Sequence, residues 1–250
     1  MFATTRGEAV PLLGRDVERS LLTSLLDEVS IHGQALVLRG EPGVGKSRLL
    51  SAAASAARER GMSVLSTTGV QSEAQLPFAG LHQLLRPVRG RAAVLPTVQR
   101  AALDAAFGLT GEVAPEPYRI AMAALDLVSE VASDAPVLVV VEDAQWLDRP
   151  TSESLAFVAR RIESDPIVLV AATREGYASV LDDAGLPEYR VVGLDDATAG
   201  ALLDAVAPQL SLAARGRVRA KRPETRSRLS SCRMWFASMR TSRGHHVHCP

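Results

Sequence analysis

The chain has 250 residues, of which 47% are hydrophobic and 22% are charged, and these fractions exclude a largely disordered, collagen-like or coiled-coil protein. Two cysteines cannot form a disulfide framework, and the N-terminus has no apolar run typical of a signal peptide. The most apolar stretch, residues 136–141, is too short to span a bilayer. We therefore expect a cytoplasmic protein that does not act in a membrane.

The charge of the chain is divided between two regions, although the formal net charge is zero. Residues 213–250 contain ten Lys or Arg and a single acid, Glu224, which leaves 18 basic and 27 acidic side chains in residues 1–212. The first region is thus strongly acidic and the second strongly basic. We expect an N-terminal arm over 1–10, a folded domain over 11–212 and a separate basic tail over 213–250.

Apolar periodicity in residues 1–212 predicts strands that alternate with helices. The predicted strands cover residues 35–38, 63–66, 137–141, 167–171 and 190–192. The predicted helices cover residues 16–30, 46–60 and 152–162, and residues 69–135 are expected to be mostly helical, with breaks at Pro77, Pro87, Pro96, Pro115 and Pro117. This alternation favours an α/β fold of three layers, in which helices cover both faces of a parallel sheet of about five strands.

Residues 40–47, GEPGVGKS, match the phosphate-loop pattern G-x-x-x-x-G-K-[ST] between a predicted strand and a predicted helix. The glycines allow backbone N–H groups to face bound phosphates, and the helix N-terminus adds its positive dipole end. Lys46, the only lysine in residues 1–212, supplies charge to the β- and γ-phosphates, and the Ser47 hydroxyl can bind Mg²⁺. An ordinary Gly-rich turn is the alternative. The predicted ATP-binding residues here are Gly40, Glu41, Pro42, Gly43, Val44, Gly45, Lys46, Ser47 and Arg48.

Polar side chains also follow two of the buried strands, at the sheet edge where open α/β sheets bind ligands. Glu142 and Asp143 end one strand, and one of them can hold Mg²⁺ while the other orients the attacking water; the sequence leaves open which does which. Thr173 or Arg174, which end another strand, can sense the γ-phosphate. The alternatives are a solvated strand end and a surface arginine. The predicted catalytic residues are Lys46, Glu142, Asp143 and Arg174, and the predicted metal ligands are Ser47, Glu142 and Asp143.

Besides the phosphate loop, four segments carry a family resemblance: LLGRDVE at 12–18, LPFAGLHQLLRP at 76–87, EDAQWLD at 142–148 and AATRE at 171–175. In this order they resemble the STAND (signal-transduction) branch of the AAA-type P-loop ATPases, also described as Orc1-like. The likeness is greatest to the ATPase half of large LuxR-type bacterial transcriptional regulators, and it covers roughly residues 10–212.

This resemblance implies a nucleotide switch that alternates between ATP and ADP states with slow, regulatory hydrolysis. It also implies that Gly14 and Arg15 lie beside the adenine or ribose. The helical lid and the C-terminal helix-turn-helix of such regulators are not visible in this sequence, so DNA binding through a helix-turn-helix is not expected of this chain itself. Self-association stays open. A competing function is a nucleotide-gated protein-interaction module without useful hydrolysis.

The basic tail is interpreted as an out-of-frame segment that follows a frameshift near Arg219, and it is expected to be disordered. With chosen synonymous codons, residues 221–233 read from the third base give AAGNPLALVELP, which is similar to a GNPLAL-like lid segment of the family. Non-specific nucleic-acid binding through the tail's charge is an alternative. Another is a zinc site, whose spacing fits no standard pattern, formed by Cys232, His245, His246, His248 and Cys249.

Overall fold

The structure, a computed structural model, describes residues 12–110 and 116–206. Its strands are β1 (Gln34–Gly40), β2 (Ser63–Thr68), β3 (Val137–Glu142), β4 (Ile167–Arg174) and β5 (Glu188–Arg190). Its α-helices are α1 (Asp16–Glu28), α2 (Lys46–Glu59), α3 (Ala79–Leu85), α4 (Thr97–Ala106), α5 (Pro117–Ala132), α6 (Arg149–Ala159) and α7 (Asp196–Val206). The interpretations of the arm 1–10 and of the tail 213–250, including the frameshift and the zinc alternative, lie outside the described residues.

The strands form one sheet in the order β2-β3-β4-β1-β5, and every neighbouring pair is parallel. This confirms the prediction of an α/β fold with a parallel five-stranded sheet. Since parallel strands end at the same edge, the loops that follow β1, β3 and β4 all leave the sheet on one side. The end of β4 lies between the ends of β1 and β3, which brings the segments of interest together.

Both faces of the sheet are covered, because alternate residues of the central strands enter two separate apolar cores. Val139 and Val141 of β3 pack in the core that also contains buried residues of α3, α4, α5 and α6. Leu138 and Val140 face the opposite core, which is built with α1 and α2. A strand with both faces buried reads as a continuous apolar run, which is why β3 and β4 were predictable.

Two predicted elements are displaced along the chain. The helix predicted over 152–162 begins earlier, at Arg149, because the carboxylate of Asp148 accepts a hydrogen bond from the Thr151 N–H and caps the first turn. The strand predicted over 190–192 is β5, two residues earlier. It is a short edge strand with exposed residues at both ends, so hydropathy gives little signal.

Proline marks the start of helices in the region 69–135. Pro96 immediately precedes α4, and Pro117 is the first residue of α5, where its missing N–H costs no hydrogen bond. Pro87 lies in a 3₁₀ segment, Arg86–Val94, that continues from α3. In the part of the chain that the structure describes, no helix has the length and apolar character needed to cross a bilayer.

Candidate functional site

The segment 40–47 forms a tight connection from the end of β1 to the start of α2. Gly43 and Gly45 have φ angles of 76° and 108°, in the left-handed region that favours glycine. At Gly40, an added Cβ would lie 2.5 Å from the carbonyl oxygen of Val191. The loop therefore needs glycine for its backbone angles at two positions and for close backbone approach at a third.

Lys46 is the first residue of α2, and its side chain turns back over the loop. The Nζ atom donates to the carbonyl oxygens of Gly40, at 2.7 Å, and of Glu41, at 3.0 Å. Burial lowers the pKa of Lys46 below its usual value; the Asp143 carboxylate opposes this shift, while Arg174 adds to it. A partly desolvated cation thus stands at the start of α2, within electrostatic reach of the ends of β3 and β4.

The other predicted residues of the loop differ in their exposure to solvent. Glu41, Val44 and Gly45 are half-buried, whereas Pro42, Gly43, Ser47 and Arg48 are exposed. Ser47 is the second residue of α2, so its hydroxyl lies in the first turn of the helix, next to Lys46. An anion that approaches the N-terminus of α2 therefore meets backbone N–H groups and an accessible hydroxyl together.

Asp143 and Arg174 form an ion pair between the ends of β3 and β4. The Arg174 Nε lies 3.3 Å from the Asp143 Oδ1, and both side chains are about one-third exposed, at 35% and 34%. Gln145 joins the pair: its Nε2 donates to the same Asp143 oxygen at 2.9 Å, and its Oε1 accepts the Arg174 backbone N–H at 3.1 Å. The structure therefore brings two of the predicted catalytic residues into direct contact.

The neighbours of this pair in sequence have different surroundings. Glu142 shares the face of β3 on which Leu138 and Val140 pack toward α1 and α2, and within the described residues its carboxylate has no hydrogen bond or ion pair. Thr173 is only 1% exposed, and its alternation along β4 turns it to the opposite face from Arg174. Its Oγ1 lacks a hydrogen-bond partner in the part of the chain described. Of the two predicted γ-phosphate sensors, only Arg174 contacts another predicted site residue.

Gly14 and Arg15 connect the start of the fold to the phosphate loop. The buried Arg15 guanidinium pairs with Glu18 at 2.7 Å and donates to the carbonyl oxygens of Val44, at 2.7 Å, and Val192, at 2.8 Å. Gly14 has a φ of 65°, and a Cβ there would clash with the side chain of Thr198 in α7. Arg15 therefore contacts the loop through protein atoms, and α7 packs directly on the residue before it.

Two further residues, Asp148 and Gln145, make contacts that the sequence did not predict. Asp148 is buried, and its carboxylate accepts from the backbone N–H groups of Phe78, Gly80 and Thr151 and from the Thr151 hydroxyl. It ties the start of α3 to the start of α6, which links the segments 76–87 and 142–148. Its capping role could have been predicted from the pattern Asp-Arg-Pro-Thr, an N-cap followed by an early proline. Nothing local in the sequence identifies the partners of Gln145.

The predicted metal ligands have the chemistry that Mg²⁺ requires. Ser47, Glu142 and Asp143 offer only oxygen atoms, and the carboxylate of Glu142 is not engaged elsewhere among the described residues. The described residues contain no group of three or more His, Cys, Asp or Glu side chains that could hold a metal by themselves. Mg²⁺ is commonly held by one or two carboxylates together with phosphate oxygens, so these residues fit Mg²⁺ that arrives with a nucleotide.

Comparisons with known proteins identify a family for more than half of this chain. Residues 11–170 match the sequence profile of the family described as "AAA ATPase domain". An uncharacterised protein of Rhizobium meliloti (strain 1021), R02095, is 28% identical over 206 residues, and the match covers 71% of this chain and 20% of that protein. The chain thus spans one-fifth of the length of the curated relative it matches.

Solved structures show a similar fold at low sequence identity. The "E. coli MS115-1 HORMA:CdnC:Trip13 complex" contains a chain with a TM-score of 0.54 and 16% identity, with 86% of this chain and 75% of that chain covered. A second is AMPPCP-bound DnaA from Aquifex aeolicus, with a TM-score of 0.46, 13% identity and coverage of 91% and 61%. The first of these likenesses, with a TM-score above 0.5, concerns the fold alone.

Proposed function

This chain belongs to the AAA ATPase domain family, and we propose that it is the ATP- and Mg²⁺-dependent switch of a LuxR-type transcriptional regulator. The observation that carries nucleotide binding is the buried Lys46 ammonium, enclosed by a phosphate loop and facing the Asp143–Arg174 pair. Two cations and a helix N-terminus converge there, which suits a polyphosphate. The assignment to a transcriptional regulator rests on the five segments that resemble the LuxR-type family, including AATRE and EDAQWLD.

Lys46 holds the β- and γ-phosphates in this proposal. Its Nζ exchanges the carbonyl oxygens of Gly40 and Glu41 for phosphate oxygens, which carry full charge and accept stronger hydrogen bonds. Because the ammonium is already partly desolvated, less hydration is lost when it binds an anion. Arg174 supplies the second positive charge at the γ-phosphate end.

Glu142 and Ser47 hold Mg²⁺, and Asp143 orients the water that attacks the γ-phosphate. This division of roles is supported by the surroundings of the two carboxylates, since Glu142 is not engaged by protein groups among the described residues and Asp143 is held by two donors. Mg²⁺ would neutralise charge on the β- and γ-phosphates. We expect hydrolysis to be slow, because the Asp143 carboxylate is already engaged by Gln145 and Arg174.

The switch requires that a change at the phosphates reaches another part of the chain. Arg15 supports such a connection, because one guanidinium bonds both the loop carbonyl of Val44 and the carbonyl of Val192, shortly before α7. A loop that moves with the nucleotide therefore displaces a group that also holds the approach to α7. The two nucleotide states would differ in this contact.

Isothermal calorimetry with Mg²⁺-ATP tests nucleotide binding at Lys46. In Lys46→Ala, loss of a charge-assisted contact is expected to weaken binding by about 1.5–3 kcal/mol, more than tenfold. Arg149→Ala is the control, since it removes one positive charge from a side chain that is 82% exposed on α6. Equal ATP affinity in the wild type and Lys46→Ala would overturn the assignment of the site.

Release of inorganic phosphate separates a hydrolysing switch from an interaction module that only binds nucleotide. The wild-type chain is incubated with ATP, with and without Mg²⁺, and phosphate is measured over hours. Slow release that depends on Mg²⁺ and is absent in Lys46→Ala is expected. Binding of ATP without any release would favour the module.

A further inference from the structure

Asp143 has a backbone conformation that needs support from its surroundings. It follows β3 with φ 46° and ψ 47°, a left-handed conformation that costs a residue with a Cβ about 1 kcal/mol or more. Its carbonyl oxygen accepts the Trp146 N–H at 2.8 Å, which closes a short turn, and its carboxylate bonds Gln145 inside the same turn. The turn sets the direction of the carboxylate, and Gln145 is the side chain within the turn that holds it.

Gln145 also occupies a position at β4 that a strand would normally fill. The register of β3 and β4 ends at Val141 and Ala171, although β4 continues to Arg174. On the other side of β4, it is Glu175 that donates its N–H to β1, so the Arg174 N–H faces the side that β3 no longer covers. The Gln145 Oε1 accepts this N–H. One side-chain amide thus extends the sheet beyond the end of β3.

Only a group that donates and accepts can make both contacts. The Nε2 of Gln145 stabilises the negative charge of Asp143, and its Oε1 stabilises the backbone of Arg174, so the amide aligns the two members of the ion pair. Both members shift the pKa of Lys46: Asp143 raises it and Arg174 lowers it. The edge-on rings of Trp146 and Tyr177 make a second contact between the same two loops.

We propose that Gln145 is a positioning residue that, by joining Asp143 to the end of β4, sets the preference of the site for ATP over ADP. The inference rests on the proposed function, because it takes the γ-phosphate to lie beside Arg174. ADP ends at its β-phosphate, which Lys46 and the loop bind without the ion pair. Loss of the amide therefore weakens the contacts to the γ-phosphate and leaves those to the β-phosphate intact.

The test compares affinities for ADP and for a non-hydrolysable ATP analogue, both with Mg²⁺, by calorimetry on the full chain. Gln145→Leu removes both hydrogen bonds and is expected to lower the ATP-to-ADP affinity ratio about tenfold, with ADP affinity nearly unchanged. Gln145→Glu keeps an acceptor for the Arg174 N–H but places a second carboxylate against Asp143, so an equal or larger loss is expected. Gln34→Leu, at the first residue of β1 and therefore at the opposite edge of the sheet, should leave the ratio unchanged.

Three results would show that Gln145 only stabilises the fold: wild-type affinities in Gln145→Glu, equal losses for both nucleotides, or failure of both variants to fold in thermal melts. Lys46→Ala separates this inference from the proposed function. If the wild type binds neither nucleotide, or Lys46→Ala binds both normally, the nucleotide site itself is wrong. If Lys46→Ala loses binding and the Gln145 variants keep the wild-type ratio, only the inference about Gln145 is overturned.

Discussion

At the scale of single residues, the two adjacent carboxylates at the end of β3 differ in what they can offer a ligand. The Asp143 carboxylate already receives hydrogen bonds from Gln145 and Arg174, whereas Glu142 has no such partner among the described residues. A carboxylate that is free of protein donors can coordinate a cation at little cost. One that is held in a fixed direction is better suited to orienting a water molecule.

Two isosteric variants test this division of roles. Asp143→Asn is expected to slow phosphate release about a hundredfold, more than it weakens Mg²⁺-ATP binding, since general-base catalysis contributes factors of this order. Glu142→Gln is expected to weaken Mg²⁺-ATP binding and to raise the Mg²⁺ concentration needed for half-maximal binding. Calorimetry at several Mg²⁺ concentrations and single-turnover phosphate release measure the two effects. The reverse pattern, with Mg²⁺ dependence altered only in Asp143→Asn, would exchange the two roles.

At the scale of elements, the buried ion pair of Arg15 and Glu18 links α1 to the phosphate loop and to the segment before α7. Its side chains are only 6% and 7% exposed. Buried pairs of this kind stabilise a fold little by comparison with apolar residues, but the loss of one partner leaves an uncompensated charge. Arg15 can therefore be essential for folding without any contact to the nucleotide.

Arg15→Ala is expected to destabilise the domain by about 3–5 kcal/mol, because Glu18 stays buried without its partner. Arg15→Met/Glu18→Leu removes both charges and should recover most of that loss. Urea unfolding measures stability, and calorimetry measures ATP affinity for the same proteins. If the double variant is stable and binds ATP normally, Arg15 has a structural role only; if it is stable and binds ATP weakly, Arg15 contributes to the nucleotide site as the resemblance implies.

Asp148 acts at the same scale by joining two helices that are distant in sequence. It caps α6 and receives the backbone N–H groups of Phe78 and Gly80, which are about 70 residues earlier. Phe78 itself has a positive φ of 62°, so the start of α3 holds a backbone conformation that the Asp148 contacts stabilise. The pairing explains why the segments 76–87 and 142–148 occur together in this sequence: each satisfies buried polar groups of the other.

At the scale of the whole molecule, the acidic residues 1–212 and the basic residues 213–250 have opposite net charges. The two cores on either side of the sheet are built from residues before Val192. The buried apolar residues of the described part of the chain thus lie in the first region, and we expect them to supply the stability of the fold.

Deletion of residues 220–250 is expected to leave the melting temperature nearly unchanged, since a segment of repelling charges cannot offset the ordering entropy of about 1–2 kcal/mol per residue. Restoring the alternative reading frame from Arg219 is expected to raise both the melting temperature and the ATP affinity. Differential scanning calorimetry and ATP titration measure these effects. A deletion that unfolds the domain, or backbone amides in the tail that resist hydrogen exchange, would contradict the frameshift interpretation.

The sequence by itself determined the fold class, the strands and the phosphate loop. These features depend on residues that are close together in the sequence. A strand with two buried faces is a continuous apolar run, and the loop needs its glycines and Lys46 within eight positions. The same locality made Glu142, Asp143 and Arg174 predictable as polar strand ends. The boundaries of β5 and α6 were less predictable. An exposed edge strand such as β5 has no apolar periodicity, and the start of α6 is set by the Asp148 cap rather than by its apolar periodicity.

Only the tertiary structure decided which of these residues meet. The strand order places β4 between β1 and β3, so that Arg174 reaches Asp143 and faces Lys46, while Thr173 turns to the other face. Gln145 joins residues on two strands, and Arg15 bonds a carbonyl 177 positions away. The sequence shows that a side chain can donate or accept a hydrogen bond, but it does not show which group is the partner. Hydrogen bonds between distant segments are therefore settled only when the packing of the two cores brings those segments together.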